Sequence, residues 1–286
     1  MKYVFLVCFL LTSSIAFSQT EIITTIPPFK MILKPILGNE GEVTSLLPPG
    51  ASPHTYEIRP SDMRRAAKAG VLVWGHEHLD EYALKFEHKN RLELVPLIPK
   101  EFLLPVTGEM VNGKAEVIGT DAHFWCDPLT VKALLPALVE KLGESECINL
   151  ETIKQNAQKF SNELDALNEE IAQLLSPVKG RTVILSHPFF QYFFKRYDIE
   201  LAEVIEKIPG KEPTPRQIKK YVDTAKAANV HAVFDHSQLP DLAAKIVAES
   251  AGIKIVRLDP IGGVPGRETY TELIRYNARI VLEALK

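Results

Sequence analysis

Two kinds of apolar spacing alternate along this chain. Short β-rich runs come first: Glu21–Ile26, Glu42–Leu47, Val71–Trp74 and Leu92–Val95 in one half. A second set follows at Thr182–Ser186, Leu201–Ile205, His231–Asp235 and Lys254–Leu258. Helical patterns lie among them, including Ser61–Ala69, Pro215–Ala228 and Asp241–Ala251. Strands alternating with helices predict βαβ units and parallel sheets. Two such sets predict an α/β fold of two lobes.

Between the sets, Ile153, Ala157, Phe160, Leu164, Leu167, Ile171 and Leu174 recur at spacings of three or four. That stripe marks one face of a helix. No Gly or Pro interrupts it until Pro177, so it predicts a single helix over Leu150–Leu175, about 38 Å long. A flexible linker would carry Gly, Ser or Pro. The stretch reads instead as a rigid strut, which divides the chain into an N-terminal lobe (19–148), a linking helix (149–177) and a C-terminal lobe (178–286).

The first eighteen residues stand apart. Lys2 supplies a positive start, Tyr3 to Leu11 is a short apolar run, and Ala16-Phe17-Ser18 places small residues before Gln19. This is the layout of a cleavable signal peptide over residues 1–18. The run is too short to span a bilayer. Cys8 lies inside it, so no lipid-attachment site is read. Export places Cys126 and Cys147 in an oxidising compartment, where they could pair or remain thiols. The remaining composition is that of an ordinary globular protein, 46% hydrophobic and 24% charged over 286 residues with a formal net charge of −3. That balance gives no sign of a nucleic-acid partner, which would want clustered Lys and Arg.

Position separates the eight histidines. His54 lies in a Pro-rich loop after a strand, and His123 in a second irregular segment, Thr120-Asp-Ala-His123-Phe-Trp-Cys-Asp-Pro. His187 and Asp259 each directly follow a predicted strand. Open parallel sheets bind ligands beyond the carboxyl ends of their strands. Two candidates from each lobe could therefore meet in a cleft, and three imidazoles with one carboxylate suit a tetrahedral zinc ion. A lone loop histidine is more often plain polar surface, and no local HExxH or CxxC signature fixes this set.

Four segments change that weighting. Pro53-His54-Thr-Tyr-Glu57, His123-Phe-Trp-Cys-Asp-Pro128, Ser186-His187-Pro-Phe-Phe-Gln-Tyr-Phe193 and Leu258-Asp259-Pro-Ile-Gly262 stand in order along the chain. Together with the ending Tyr270–Asn277 they resemble the zinc- and manganese-binding solute-binding proteins of bacterial ABC importers, over nearly all of the mature chain. The resemblance implies two α/β lobes on a backbone helix, with His54, His123, His187 and Asp259 around a transported ion. It implies capture without turnover, a periplasmic location, a single-chain protein and delivery to the permease of an inner-membrane importer. Histidine at the third position resembles the zinc binders, where glutamate would resemble the manganese binders; imidazole-rich shells suit zinc. Manganese or iron as cargo is the alternative within the family, and a zinc hydrolase with three ligands and an open water position is the alternative outside it.

Other residues need weighing. The stretch Pro105–Thr120 contains no histidine, whereas many zinc binders of this kind carry a His-rich loop there. His76-Glu77-His78 is a candidate for a weak second site, and Cys126 a remote candidate ligand. His236, at a strand's carboxyl end, is a candidate for a supporting or competing ligand. Glu57, Asp121 and Asp127 lie close enough in sequence to accept the second N–H of a ligating imidazole. Neutral imidazoles are needed for binding, so capture should weaken as pH falls through their usual titration range, about 6.5.

Overall fold

The computed structural model describes residues 20–111, 114–206, 212–238 and 241–286. The predicted signal peptide lies outside them. In chain order the first lobe holds β1 (Thr20–Thr24), α1 (Pro27–Leu37), β2 (Gly41–Ser45), α2 (Pro60–Ala66), β3 (Val71–Trp74), α3 (Glu77–Asp80) and β4 (Arg91–Glu93). A hairpin follows, β5 (Pro105–Val111) and β6 (Lys114–Thr120), then α4 (Pro128–Leu142) and α5 (Leu150–Leu175). The second lobe adds β7 (Thr182–Leu185), α6 (Gln191–Arg196), β8 (Glu200–Val204), α7 (Pro215–Ala227), β9 (Ala232–His236), α8 (Leu242–Ala251), β10 (Lys254–Leu258) and α9 (Tyr270–Leu285).

Two parallel four-stranded sheets result, ordered β2-β1-β3-β4 and β10-β9-β7-β8, with β5 and β6 as a separate antiparallel pair. Each predicted strand is present within two residues of its expected ends. In both sheets the first strand in sequence sits inside, so its loop opens at the carboxyl edge where strand order reverses.

The strut is a 26-residue helix. Asn149 caps it, its side chain accepting from Thr152 N at 3.1 Å. The predicted stripe is buried from Ile153 to Ile171, but the last buried residue is Leu175, with Leu174 half-buried. A 3.6-residue period drifts against fixed spacing, and one step at the end moves the stripe onto its neighbour. Helix α5 packs against α1 and α4 on the first lobe and against α9. Helix α9 also touches α1, so the chain's end returns to the first lobe, and one continuous apolar core runs through both lobes.

Burial of this kind sets a measurable cost. Leu164 is fully buried in that core. Leu164→Ala should lower unfolding stability by about 2–5 kcal/mol, read as a lower urea midpoint at unchanged slope. A loss below 1 kcal/mol would mean that the strut is not packed as seen.

Cys126 is buried and Cys147 exposed, and both thiols are free. The possible bridge is therefore absent. Cys126 Sγ instead donates to the carbonyl of Phe189 across the lobes, at 3.1 Å.

Candidate metal centre

His54 stands in the loop between β2 and α2. His123 ends the approach to a short turn, Phe124–Cys126, whose residues are all buried. His187 leaves β7 with its backbone still extended, φ −142° and ψ 155°. These three come together. Their rings face one another edge-on, with centroids 5.6 Å apart for His54–His123, 4.8 Å for His54–His187 and 5.1 Å for His123–His187. One ring nitrogen from each lies within 4.8 Å of the other two. Among the described residues this is the one group of three or more His, Cys, Asp or Glu within that reach.

Each ring is aimed. Asp121 Oδ1 accepts from His123 Nδ1 at 2.7 Å and also from the His123 backbone N–H at 3.0 Å. The other oxygen of Asp121 accepts from Gln191 Nε2 at 3.0 Å. His187 Nδ1 donates to the Glu206 carbonyl at 3.2 Å. Both bonds fix the tautomer that leaves an Nε2 lone pair facing the cluster. His187 Nε2 lies 3.1 Å from His54 Nε2. Two nitrogens bound to one tetrahedral zinc at 2.0–2.1 Å would be about 3.3–3.4 Å apart, so the pair is nearly at ligand spacing already.

Asp121 is thus the orienting carboxylate that sequence alone left open. Asp127 does other work: it caps α4 through Leu129 N–H and Thr130 hydroxyl, and holds Arg196 of α6 at 2.9 and 2.7 Å. Glu57 is exposed. Asp121→Asn should weaken metal binding by about 10- to 100-fold, the usual worth of an orienting partner, as measured by chelator competition. An unchanged affinity would show that His123 needs no such support.

Asp259 is not brought into the group. Its Oδ1 accepts from Gln238 Nε2 at 2.6 Å and from the backbone N–H groups of Ile261 and Gly262, both at 3.0 Å. Arg267 Nε lies 3.3 Å from its Oδ2. The turn that folds Arg267 back needs glycine: Gly262 has φ +62°, and a Cβ there would stand 2.8 Å from the Arg267 carbonyl. His236, also outside that group, is buried with its ring centroid 6.0 Å from that of His187.

His76 and His78 sit on α3 and the turn before it. Buried Asp80 holds that turn, accepting from Gly75 N–H at 2.9 Å, His76 N–H at 3.0 Å and the Thr25 hydroxyl. His76 Nδ1 accepts from His78 N–H, and the two rings are 5.1 Å apart. Glu77 Oε1 lies 4.0 Å from His78 Nε2, but among the described residues these side chains form no group of three metal-binding atoms within 4.8 Å of one another. His78 and Glu77 instead line one part of a cavity of about 540 Å³ whose far wall includes His54, His123 and His187. Cys126 is not part of the group, its Sγ being bonded to the Phe189 carbonyl.

Burial governs the protonation of the site. It pushes His187 well below its ordinary value, and pushes His54 down to about 3 and His236 down to about 4, with neighbouring imidazoles adding to each. His54, His187 and His236 are therefore neutral and ready to ligate at pH 7 and well below. Against the expectation from ordinary imidazoles, protonation of His54 and His187 should cost the site little metal affinity from pH 7.5 to about 5. The sign for the metal-free fold is the opposite. These pKa values are lowered on folding, so the unfolded chain takes up protons first, below about 6.5, and stability falls as pH drops from there toward 4. Urea midpoints at pH 7 and pH 5 test it, and equal midpoints would place these rings in solvent.

Residues 22–284 match the family described as zinc-uptake complex component A, periplasmic. The chain belongs to this family. A Thermotoga maritima relative, named for metal binding without a stated metal, is 31% identical over 293 residues covering 100% of both chains. The manganese-binding lipoprotein MntA of Halalkalibacterium halodurans is 26% identical over 272 residues, 93% of this chain and 88% of its own. Among solved structures, that of ZnuA superposes with a TM-score of 0.77 at 26% identity, covering 94% of this chain and 100% of its own. The family consists of metal-binding components of zinc and manganese uptake transporters, and the two-lobe fold on a long helix is shared. No helix of the described residues is long and apolar enough to cross a membrane.

Proposed function

We propose that this protein captures a divalent transition metal, foremost Zn2+, between its lobes and delivers it to the permease of an ABC-type importer. The observation that carries the reading is the meeting of His54, His123 and His187 from two lobes, a ring nitrogen of each within 4.8 Å of the others, with His123 and His187 already oriented by Asp121 and the Glu206 carbonyl. Three neutral imidazoles favour zinc over the carboxylate-loving manganese. The ion would tie His54 and His123 of the first lobe to His187 of the second. Metal is cargo here, so the site binds and releases without turnover. The signal-peptide pattern of residues 1–18 supports a periplasmic location, and residues 19–148, 149–177 and 178–286 serve as the two lobes and their strut.

The test is calorimetry on the metal-stripped mature protein. Zinc should bind one-to-one and at least tenfold more tightly than manganese, and should raise the unfolding temperature in proportion to its concentration over Kd. Manganese binding as tightly as zinc would transfer the cargo to the alternative reading. No binding of either would end the capture reading.

A further inference from the structure

The three imidazoles leave one corner of a tetrahedral shell to fill. Sequence spacing nominates Asp259, and the structure offers His236 as a rival. The two are placed by neighbouring strands. Strands β7 and β9 are parallel, with Leu185 opposite Phe234. Two residues further on, His187 stands opposite His236. The chain is still extended there: Ser186 N–H donates to the Phe234 carbonyl at 2.8 Å, and His187 has strand dihedrals. Residues at matching positions of adjacent strands project from the same face, about 4.8 Å apart. His236 therefore rises beside His187, toward the cluster.

Asp259 is out of phase with them. His236 pairs with Leu258, so Asp259 is one residue past that pair, where alternation turns a side chain to the other face. Its Oδ1 already accepts from Gln238 and two backbone amides, and its Oδ2 faces Arg267 Nε at 3.3 Å. Taking it for an ion would strip Arg267 of its carboxylate. That guanidinium, stacked 4.1 Å over the Tyr276 ring, would be left as a charge without its pair in a largely buried place. His236 lines the same small cavity as His54, His123 and His187.

We propose that His236 supplies the fourth donor to the bound ion, giving an all-imidazole shell of His54, His123, His187 and His236, while Asp259 stays with Arg267 as a structural pair. The inference rests on the capture reading above. It sharpens the cargo: four nitrogens and no carboxylate favour zinc, and ions above it in affinity for nitrogen, over manganese.

The decisive measurement is X-ray absorption at the zinc edge of the wild-type holoprotein, where multiple scattering counts imidazoles directly. Four imidazoles support the proposal; three imidazoles with one oxygen overturn it. Calorimetry with zinc on His236→Ala, His236→Asn and Asp259→Asn gives an independent arm. Either His236 change should cost more than the roughly 100-fold upper worth of an orienting partner, while Asp259→Asn should cost less than about 10-fold. The reverse order overturns the proposal and leaves capture intact. His187→Ala separates the two ideas: if it too leaves zinc affinity unchanged, capture at this cluster fails as a whole. Melting curves of the metal-free variants confirm folding, and the spectroscopic arm needs no variant.

Discussion

His187→Ala should reduce zinc affinity by about 100- to 1000-fold while leaving the metal-free protein folded. Four-ligand zinc sites are worth about 10–16 kcal/mol in apparent binding energy, so each ligand accounts for roughly 3–4 kcal/mol. His187 is buried, fixed by the Glu206 carbonyl, and 3.1 Å from the His54 ring nitrogen. Removing it deletes a donor from the second lobe, and so also removes the ion's grip across the cleft. The fold should tolerate the change, because the lobes are joined independently by Tyr192 hydroxyl on the Asp121 carbonyl at 2.7 Å and by the Arg196–Asp127 pair. His123→Ala should match it, and the double change should cost less than the sum, since an ion that has lost half of its donors is already released. Chelator competition gives the affinities. A His187→Ala protein that holds zinc within tenfold of wild type would remove this ring from the shell.

Much of this site was legible before any coordinates, and the reasons are local. His54 and His187 follow strands, and parallel strands end on one edge, so their convergence needed only the βαβ reading. His123 needed the family's motif order, because nothing in an irregular loop announces where it folds. The partner of His123 was a choice among three carboxylates. Asp121 is the one whose side chain folds back two residues onto both the ring and the backbone N–H of His123, a turn that composition does not mark. The end of β10 placed Asp259 in the chain, but the partners of its carboxylate could not be read. Its fate depends on Arg267, eight residues later, brought back by the turn at Gly262.

The fold shows the same division. Alternating strands and the α5 stripe are periodic signals and were readable. Helix α1 was not, because Pro27 and Pro28 open it and Pro35 lies within it. Proline reads as a breaker, yet at the first helical positions it costs no hydrogen bond and its φ suits the helix. Helix α4 hides likewise behind Pro128 and Pro136. The return of α9 onto α1 is a tertiary event with no local signature.

Trp125→Ala should be the most destabilising single change near the site, at about 3–5 kcal/mol. The indole is fully buried between the lobes. It meets Phe29 of α1 at right angles, 5.6 Å between centroids, and lies 5.3 Å from the His123 ring. Its Nε1–H donates to the Pro260 carbonyl at 2.8 Å, directly after Asp259, and its own carbonyl accepts from the Tyr270 hydroxyl at the start of α9 at 2.8 Å. The first lobe, the His123 ring, the Asp259 turn and the returning helix thus meet at one residue. Truncation opens a cavity against Phe29 and leaves the Pro260 carbonyl without its donor, and a buried unpaired acceptor costs about 1–3 kcal/mol within that total. Trp125→Phe keeps most of the volume and loses the donor, so it should cost less than half as much. Because His123 rests against this ring, zinc affinity should fall with stability in Trp125→Ala, by about 10-fold, as for loss of an orienting contact. Urea unfolding and chelator competition on both variants read the two effects separately. If stability falls while zinc affinity holds, Trp125 is a core residue only, and the position of His123 is set by Asp121 alone.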